Sequence, residues 1–237
     1  RLQMKIHKTF FILLGLGLVL IAGYFILRSF KSARYLYYME WARDPHRHAD
    51  WTIKAKERCQ DSPFMFPTDG YIGFIWGDSF RPGQRHQGVD IFSGTEAGIT
   101  PVYAAYDGYL TRLPEWKSSL IVRVPSDPLQ PQRQIWTYYT HLADSHGASF
   151  ISDEFPPGTR EVFIKTGTFL GYMGNYSGKQ GSPVGVHLHF SIVKDDGRDH
   201  FLNELDFENT LDPSPYFNLP LNAKENKDTI PLCSSGE

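Results

Sequence analysis

From Asp61 onward, short apolar runs alternate with turn residues, and this texture restricts the fold more than any other feature of the chain. The runs recur about every eight to twelve positions, which is typical of antiparallel β-domains. Asp107-Gly108 is a hairpin signal between two of them. The pattern predicts a mainly β domain with strands near 70–75, 88–92, 102–105, 108–113, 120–125, 134–141, 168–174 and 187–193, and a long polar loop over 142–166.

The last of these runs contains two histidines, His187 and His189. Side chains alternate faces along a strand, so both imidazoles are expected on one side and Leu188 and Phe190 on the other. An isolated pair of this kind is more often two polar residues on a wet face than a metal site. The pair therefore indicates chemistry only if other parts of the chain supply further ligands.

Two upstream segments supply such candidates. His86 and Asp90 lie four residues apart in a loop that enters a predicted strand, and His141 ends another strand. Asp90 stands between two apolar residues, and a buried carboxylate needs a partner. Zinc accepts His nitrogen and Asp oxygen, and a catalytic zinc keeps three protein ligands and one open position. Five candidates exceed three ligands, and the surplus can act as acid, base or hydrogen-bond donor.

Charge and cysteine content exclude other classes. The net charge is −2, and positions 1–34 carry six basic and no acidic residues, so the remainder carries −8 and is a poor candidate for nucleic-acid binding. With only Cys59 and Cys233, a cysteine-based zinc site is excluded. In an oxidising compartment the two can form a disulfide worth up to about 5 kcal/mol; two free thiols are the alternative.

The N-terminal region predicts a membrane anchor. Residues 9–27 contain no charged residue, and basic residues flank them. About twenty apolar residues cross a bilayer, whereas the apolar core of a cleaved signal peptide is usually shorter and precedes a small-residue cleavage site. We predict a basic segment at 1–9 and a transmembrane helix at 10–28. The positive-inside rule does not decide the orientation, because Lys and Arg are about equally dense on both sides.

The segment 29–60 predicts a short helical juxtamembrane stalk. Its aromatic residues suit the membrane–water interface, although packing on the domain explains them equally well; they are Phe30, Tyr35, Tyr37, Tyr38 and Trp41. Four histidines outside the motifs are predicted to be exposed: His46, His48, His146 and His200. The polar, Pro-rich segment 197–237 is predicted to run over the surface of the main domain, 61–196.

Together, these motifs resemble the M23 (lysostaphin/LytM-like) family of zinc metallopeptidases, which cut peptide cross-links in bacterial cell walls. The matching segments occur in the family's order, at 86–91, 100–108, 139–142, 171–175 and 187–190, within about 66–193. The resemblance implies an antiparallel β-sheet metallopeptidase domain with Zn²⁺ as cofactor. It implies metal ligands at His86, Asp90 and His189, and catalytic roles for His141 and His187 that the sequence does not distinguish.

The chain departs from the family pattern in three places. Ser191 stands where the family often has Glu, the link over 148–161 is expanded, and Pro183-Val184 replaces the usual Gly-Pro before the histidine pair. None of these changes removes a ligand. They leave substrate specificity open, because these loops line the groove in the family.

The resemblance implies a membrane-anchored zinc endopeptidase that acts on peptidoglycan peptides, with its large domain periplasmic or extracellular. The alternative is an M23-like domain that serves as a structural or regulatory subunit of a membrane complex without essential peptidase activity. Inactive family members usually lose metal ligands, whereas this chain keeps all five residues. A third hypothesis is the same zinc chemistry on another peptide, such as a secreted protein.

Overall fold

The structure is a computed structural model that describes Leu14, Gly15, Gly17, 33–79 and 83–233. The predicted basic segment 1–9 and nearly all of the predicted transmembrane helix 10–28 lie outside these residues, so both stay predictions. Within the described residues, no helix combines the length and apolar character needed to cross a membrane.

Strands dominate the described chain. They are β1 (Tyr71–Phe74), β2 (Val89–Phe92), β3 (Pro101–Tyr103), β4 (Gly108–Thr111), β5 (Leu120–Val124), β6 (Ile135–Thr140), β7 (Val162–Ile164), β8 (Phe169–Tyr172), β9 (His187–Lys194) and β10 (Thr210–Leu211). Helix α1 (Ala33–Arg43) precedes them and helix α2 (Ser214–Phe217) follows them; single 3₁₀ turns occur at Ala49–Trp51 and Phe207–Asn209.

The main sheet is antiparallel and has the order β1-β2-β9-β6-β5-β4-β7, with β10 also paired to β9, while β3 and β8 form a separate pair. Strand β9 is an interior strand, between β2 and β6. Its side chains alternate as predicted: Leu188, Phe190 and Ile192 belong to the main hydrophobic core. The histidines of β9 therefore occupy the opposite face of the same rigid strand.

All eight predicted strands coincide with observed strands, so the mainly β antiparallel prediction is confirmed. Two observed strands were not predicted. Strand β7 lies inside the predicted loop 142–166 and pairs with β4, and β10 pairs with β9. Both are two or three residues long. Such short strands form because a longer neighbour supplies hydrogen bonds, and their own sequence carries too little alternation to reveal them.

The surface course predicted for 197–237 is wrong for part of that segment. Tyr216, Phe217, Leu219 and Leu221 are buried in the main core, and Phe66 stacks on Phe217 with ring centroids 5.2 Å apart. The polar, Pro-rich average of the tail concealed these apolar residues, which cover the core from one side. The disulfide between Cys59 and Cys233 is confirmed and links residues 174 positions apart.

Helix α1 packs against the β-domain. Trp41 is buried and stacks on Tyr71 of β1 with centroids 5.0 Å apart, and Tyr38 packs on Phe92 at 4.6 Å. Of the two explanations for the aromatic residues of this segment, packing on the domain therefore holds for Tyr38 and Trp41. Both rings belong to a small cluster on the sheet face that carries the β9 histidines, because Phe92 also stacks on His187.

Candidate metal centre

Strand register brings three predicted site residues together. In the antiparallel pair β2–β9, Asp90 lies directly opposite His189. His86 arrives from the loop before β2, where Gly88 lets the chain pass close to β9: a Cβ at this glycine would lie 2.1 Å from the carbonyl oxygen of Phe190. Glycine is therefore required between the first histidine and the aspartate for the loop to approach the strand.

The donor atoms of these three residues converge. Asp90 Oδ1 lies 3.0 Å from His86 Nε2 and 2.8 Å from His189 Nδ1, and the two ring nitrogens are 3.1 Å apart. Bonds of 2.0–2.1 Å to a tetrahedral zinc ion require donors about 3.3 Å apart. The donor set and spacing thus fit zinc, and among the described residues this is the one group of three His, Cys, Asp or Glu side chains that fits a metal ion.

Backbone contacts orient His86. Its Nδ1 lies 3.2 Å from the carbonyl oxygen of Ile75, to which it donates as Nδ1–H. This hydrogen bond selects the tautomer that leaves a lone pair on Nε2, the atom that faces Asp90 and His189. Such outer contacts on a ligating histidine raise its basicity and hold the ring in position.

The two remaining candidate histidines lie beside this cluster. Nδ1 of His187 is 2.6 Å from the carbonyl oxygen of Gly185, and Nδ1 of His141 is 2.6 Å from that of Tyr176. The rings are 4.3 Å apart, and His187 Nε2 lies 3.8 Å from Asp90 Oδ1. Each ring therefore donates through Nδ1 and keeps Nε2 as an acceptor when it is neutral.

The backbone at His141 is unusual. Its φ of 73° lies in the left-handed region, immediately after β6 ends. A non-glycine residue in this region costs roughly 1–3 kcal/mol and is found preferentially at functional sites. The turn places the imidazole in the groove next to His187, instead of continuing the strand.

Burial and mutual contact shift the pKa values of these groups. Burial opposes ionisation of Asp90, but nearby His86 and His187 and hydrogen bonds from His189 and His86 outweigh it and hold its pKa well below the ordinary value. Burial, followed by the proximity of His187, lowers the pKa of His141 to about 3. Asp90 is therefore a carboxylate anion near neutral pH and can bind a cation, whereas His141 is neutral and can accept a proton.

The pKa values of the two histidines that contact Asp90 most closely shift in opposite directions. Burial lowers the pKa of His189 and outweighs the hydrogen bond and charge of Asp90. For His86 burial acts in the same direction, but the charge and hydrogen bond of Asp90 prevail and raise its pKa.

All five predicted residues line one groove of about 880 Å³. One wall is aromatic, with Tyr38, Phe74 and Phe92. The opposite wall carries hydroxyl groups, since Tyr138 Oη donates to Ser119 Oγ at 3.0 Å and Ser119 in turn contacts Thr140 at 2.7 Å.

The sequence interpretation missed both walls. Tyr38 lies 48 positions before His86 in sequence, and only its place in an aromatic-rich segment singled it out. Burial, followed by the charge of Asp90, raises the pKa of its phenol, which therefore stays protonated.

The histidines predicted to lie outside the site do so, but one is not exposed as predicted. His46, His146 and His200 are exposed. His48 is half-buried, because its ring lies 4.0 Å from that of Trp51 and its Nε2 is 3.5 Å from Glu40.

No known family's sequence model matches this chain, and no curated protein matches it. Solved structures do. The catalytic domain of the antimicrobial peptidase lysostaphin from Staphylococcus simulans is 19% identical over 62% of this chain and 92% of that one, with a TM-score of 0.41. Csd3 of Helicobacter pylori is 19% identical over 65% of this chain and 34% of its own, with a TM-score of 0.40. The catalytic domain of the prophage-encoded M23 protein EnpA from Enterococcus faecalis, a point mutant, is 17% identical over 64% and 97%, with a TM-score of 0.36.

Proposed function

We propose that this chain is a membrane-anchored, zinc-dependent endopeptidase that hydrolyses peptide cross-links of bacterial peptidoglycan. The observation that supports it most is the convergence of His86 Nε2, Asp90 Oδ1 and His189 Nδ1 within about 3 Å of one another at the floor of a groove. A catalytic zinc has three protein ligands and a structural zinc usually has four, so three candidate ligands that line a groove would suit a catalytic ion.

The chemistry follows from the donor set. His86, Asp90 and His189 would hold the ion, which when bound polarises a carbonyl group and lowers the pKa of water. His141 or His187 accepts the proton of the attacking water at Nε2, because Nδ1 of each ring is already engaged with a backbone carbonyl. While it carries that proton, the imidazole stabilises the oxyanion, and it then returns the proton to the leaving nitrogen.

The groove suits an extended peptide. Its volume lies within the range of roughly 300–1,000 Å³ found for ligand sites, and it combines an aromatic wall with a row of hydroxyl groups that can bond a peptide backbone. Peptidoglycan is proposed as the source of that peptide on the sequence motifs around the five site residues, which resemble those of the M23 family.

The proposed location is the cell membrane, with a single N-terminal span and the large domain outside the cytoplasm. The uncharged run at 9–27 supports the anchor. The disulfide Cys59–Cys233 supports an oxidising compartment for the large domain, since such bonds are rare in the cytosol.

The test is metal analysis of the purified chain together with cleavage of isolated peptidoglycan. We expect one zinc per chain, loss of cleavage after chelation and recovery on adding zinc. The double variant His86→Ala, His189→Ala should be inactive, with the exposed His200→Ala as the control. Parental cleavage by the double variant would contradict the proposal.

Two other results point to the alternatives. A folded chain that binds no zinc, cuts nothing and copurifies with membrane proteins favours a structural or regulatory subunit. Cleavage of protein substrates, without cleavage of wall fragments, favours the third hypothesis.

A further inference from the structure

Helix α1 contacts the strand that leads into the metal-binding loop, although it lies far from the site residues in sequence. Within the described residues it packs on β1, and its Tyr38 lines the groove. The ring of Tyr38 packs on Phe92, and Phe92 stacks on His187 with centroids 4.9 Å apart. One route of contact thus leads from the helix to a proposed catalytic histidine.

A second route begins at Arg34 in the first turn of α1. Arg34 is 2% exposed, and its Nη2 donates to the carboxylate Oδ1 of Asp78. The second carboxylate oxygen accepts the backbone N–H of Ile75 at 2.8 Å, and the N–H of Asp78 donates to the carbonyl of Ile75 at 3.1 Å. Asp78 therefore closes the turn 75–78, and Arg34 neutralises its charge.

The same turn holds His86 from three directions. Its ring Nδ1 bonds the carbonyl oxygen of Ile75, its N–H donates to the carbonyl of Asp78 at 2.7 Å, and its own carbonyl accepts the N–H of Gly77 at 2.8 Å. The position and tautomer of this imidazole thus depend on the shape of the turn. Two residues, Asp78 and Ile75, link Arg34 to the ring.

We propose that Arg34 is a positioning residue for the metal ligand His86, so that helix α1 contributes to the affinity of the metal centre. The inference rests on the proposed zinc site. Removing the guanidinium leaves the Asp78 carboxylate, whose side chain is 14% exposed, without its cation. The carboxylate then reorients towards water, the bond to Ile75 weakens and the turn loses its shape.

The expected loss of zinc affinity can be judged from other proteins in which a residue that orients a metal ligand was changed. Changes to residues that orient a ligand typically cost 10–100-fold in metal affinity. Arg34 acts through the turn instead of touching the imidazole, so we expect an effect at the lower end, about tenfold.

The experiment measures zinc affinity of the metal-depleted chain by competition with a chromogenic chelator. The variants are Arg34→Met, Asp78→Asn and, as the matched control, Arg43→Met, which removes an exposed arginine from the last turn of the same helix. Arg34→Met and Asp78→Asn should raise the Kd for zinc about tenfold, whereas Arg43→Met should leave it unchanged. If Arg34→Met does not fold, Asp78→Asn decides, because it removes the charge that Arg34 binds while it keeps the side-chain size.

The visible spectrum of the cobalt-loaded chain is the second readout, because it reports the geometry of the ligands. A merely structural Arg34 would lower the unfolding temperature of the metal-free chain but leave both the zinc Kd and the cobalt spectrum parental, which overturns the inference. Absence of zinc binding by the parent contradicts the proposed function itself, whereas parental affinity in both variants contradicts only the role of Arg34.

Discussion

Two buried carboxylates of this chain are compensated in different ways. Asp127 is fully buried and accepts hydrogen bonds from Arg133 Nε at 2.7 Å and Tyr216 Oη at 2.8 Å. Asp90 is also buried, but the ionisable groups that contact it within the described residues are the imidazoles of His86, His187 and His189. A guanidinium stays charged at any working pH, whereas an imidazole does not.

The difference separates a structural cluster from the one that we propose to be functional. The Asp127 cluster is complete, because a permanent cation and a phenol satisfy the carboxylate. In the Asp90 cluster, the two ring nitrogens that face each other at 3.1 Å need a proton or a metal ion between them and the carboxylate. A buried charge with titratable partners in a groove indicates function, and one with a permanent partner indicates stability.

The largest expected effect concerns the imidazoles beside Asp90. His187→Ala should lower kcat by about 10²–10⁴-fold, the usual contribution of general acid–base catalysis, while zinc stays bound. Peptidoglycan cleavage and elemental analysis of the same sample check this, with exposed His146→Ala as the control. An active His187→Ala would remove this histidine from the mechanism.

Next comes the aspartate itself. Asp90→Asn removes the anionic donor and should weaken zinc binding by more than the roughly 100-fold that outer contacts cost. Asp127→Asn is the matched change in the other cluster and should leave zinc affinity unchanged. Chelator competition measures both, and equal losses would show that the two clusters are not functionally separate.

A smaller effect is expected on stability. Arg133→Met leaves Asp127 without its cation and should lower the free energy of unfolding by about 2 kcal/mol. The figure is below the usual value for a fully buried pair, since the Arg133 side chain is 35% exposed and water screens the contact. Denaturant titration measures the change. If Arg133→Met reduced zinc affinity and left stability unchanged, the Asp127 cluster would be functional and not structural.

The last expected effect is a pH slope, which per pH unit is smaller than the change at Arg133. Burial lowers the pKa of His141 to about 3 from 6.5, so the folded chain binds fewer protons than the unfolded chain between these values. The contribution of neutral His141 to the free energy of unfolding is fully present above about pH 6.5. It decreases as the pH is lowered, by at most about 1.4 kcal/mol per pH unit for one proton. The free energy of unfolding of the metal-free chain should therefore fall between about pH 6.5 and 4.5. In His141→Gln this pH dependence should be lost. An unchanged pH dependence in His141→Gln would show that another group takes up the proton on unfolding.

Much of the fold was predictable because its signals are local. Alternation in 187–193 predicted a strand with both histidines on one face, and that face does carry them. Strand β7 and the buried residues of the tail were not predictable. The first forms through pairing with β4, and Tyr216 and Phe217 are buried through contact with Phe64 and Phe66 from the other end of the domain.

The candidate site divides in the same way. The five residues were identifiable from residue type, spacing and resemblance, because zinc chemistry requires imidazole and carboxylate donors. Their geometry was not, since the pairing of Asp90 with His189 depends on the register between β2 and β9. No sequence signal assigned Tyr38 or Arg34 to the site, because their contacts with Phe92 and Asp78 join segments that are distant in sequence.

By itself, the sequence determined where the main strands lie and which side chains can bind a metal, because both depend on residue type and on periods of a few positions. Only the tertiary structure decided which ring nitrogens converge on Asp90, which segments wall the groove and that α1 contacts the turn behind His86. These features depend on strand register and on packing between distant segments, and no local pattern encodes either.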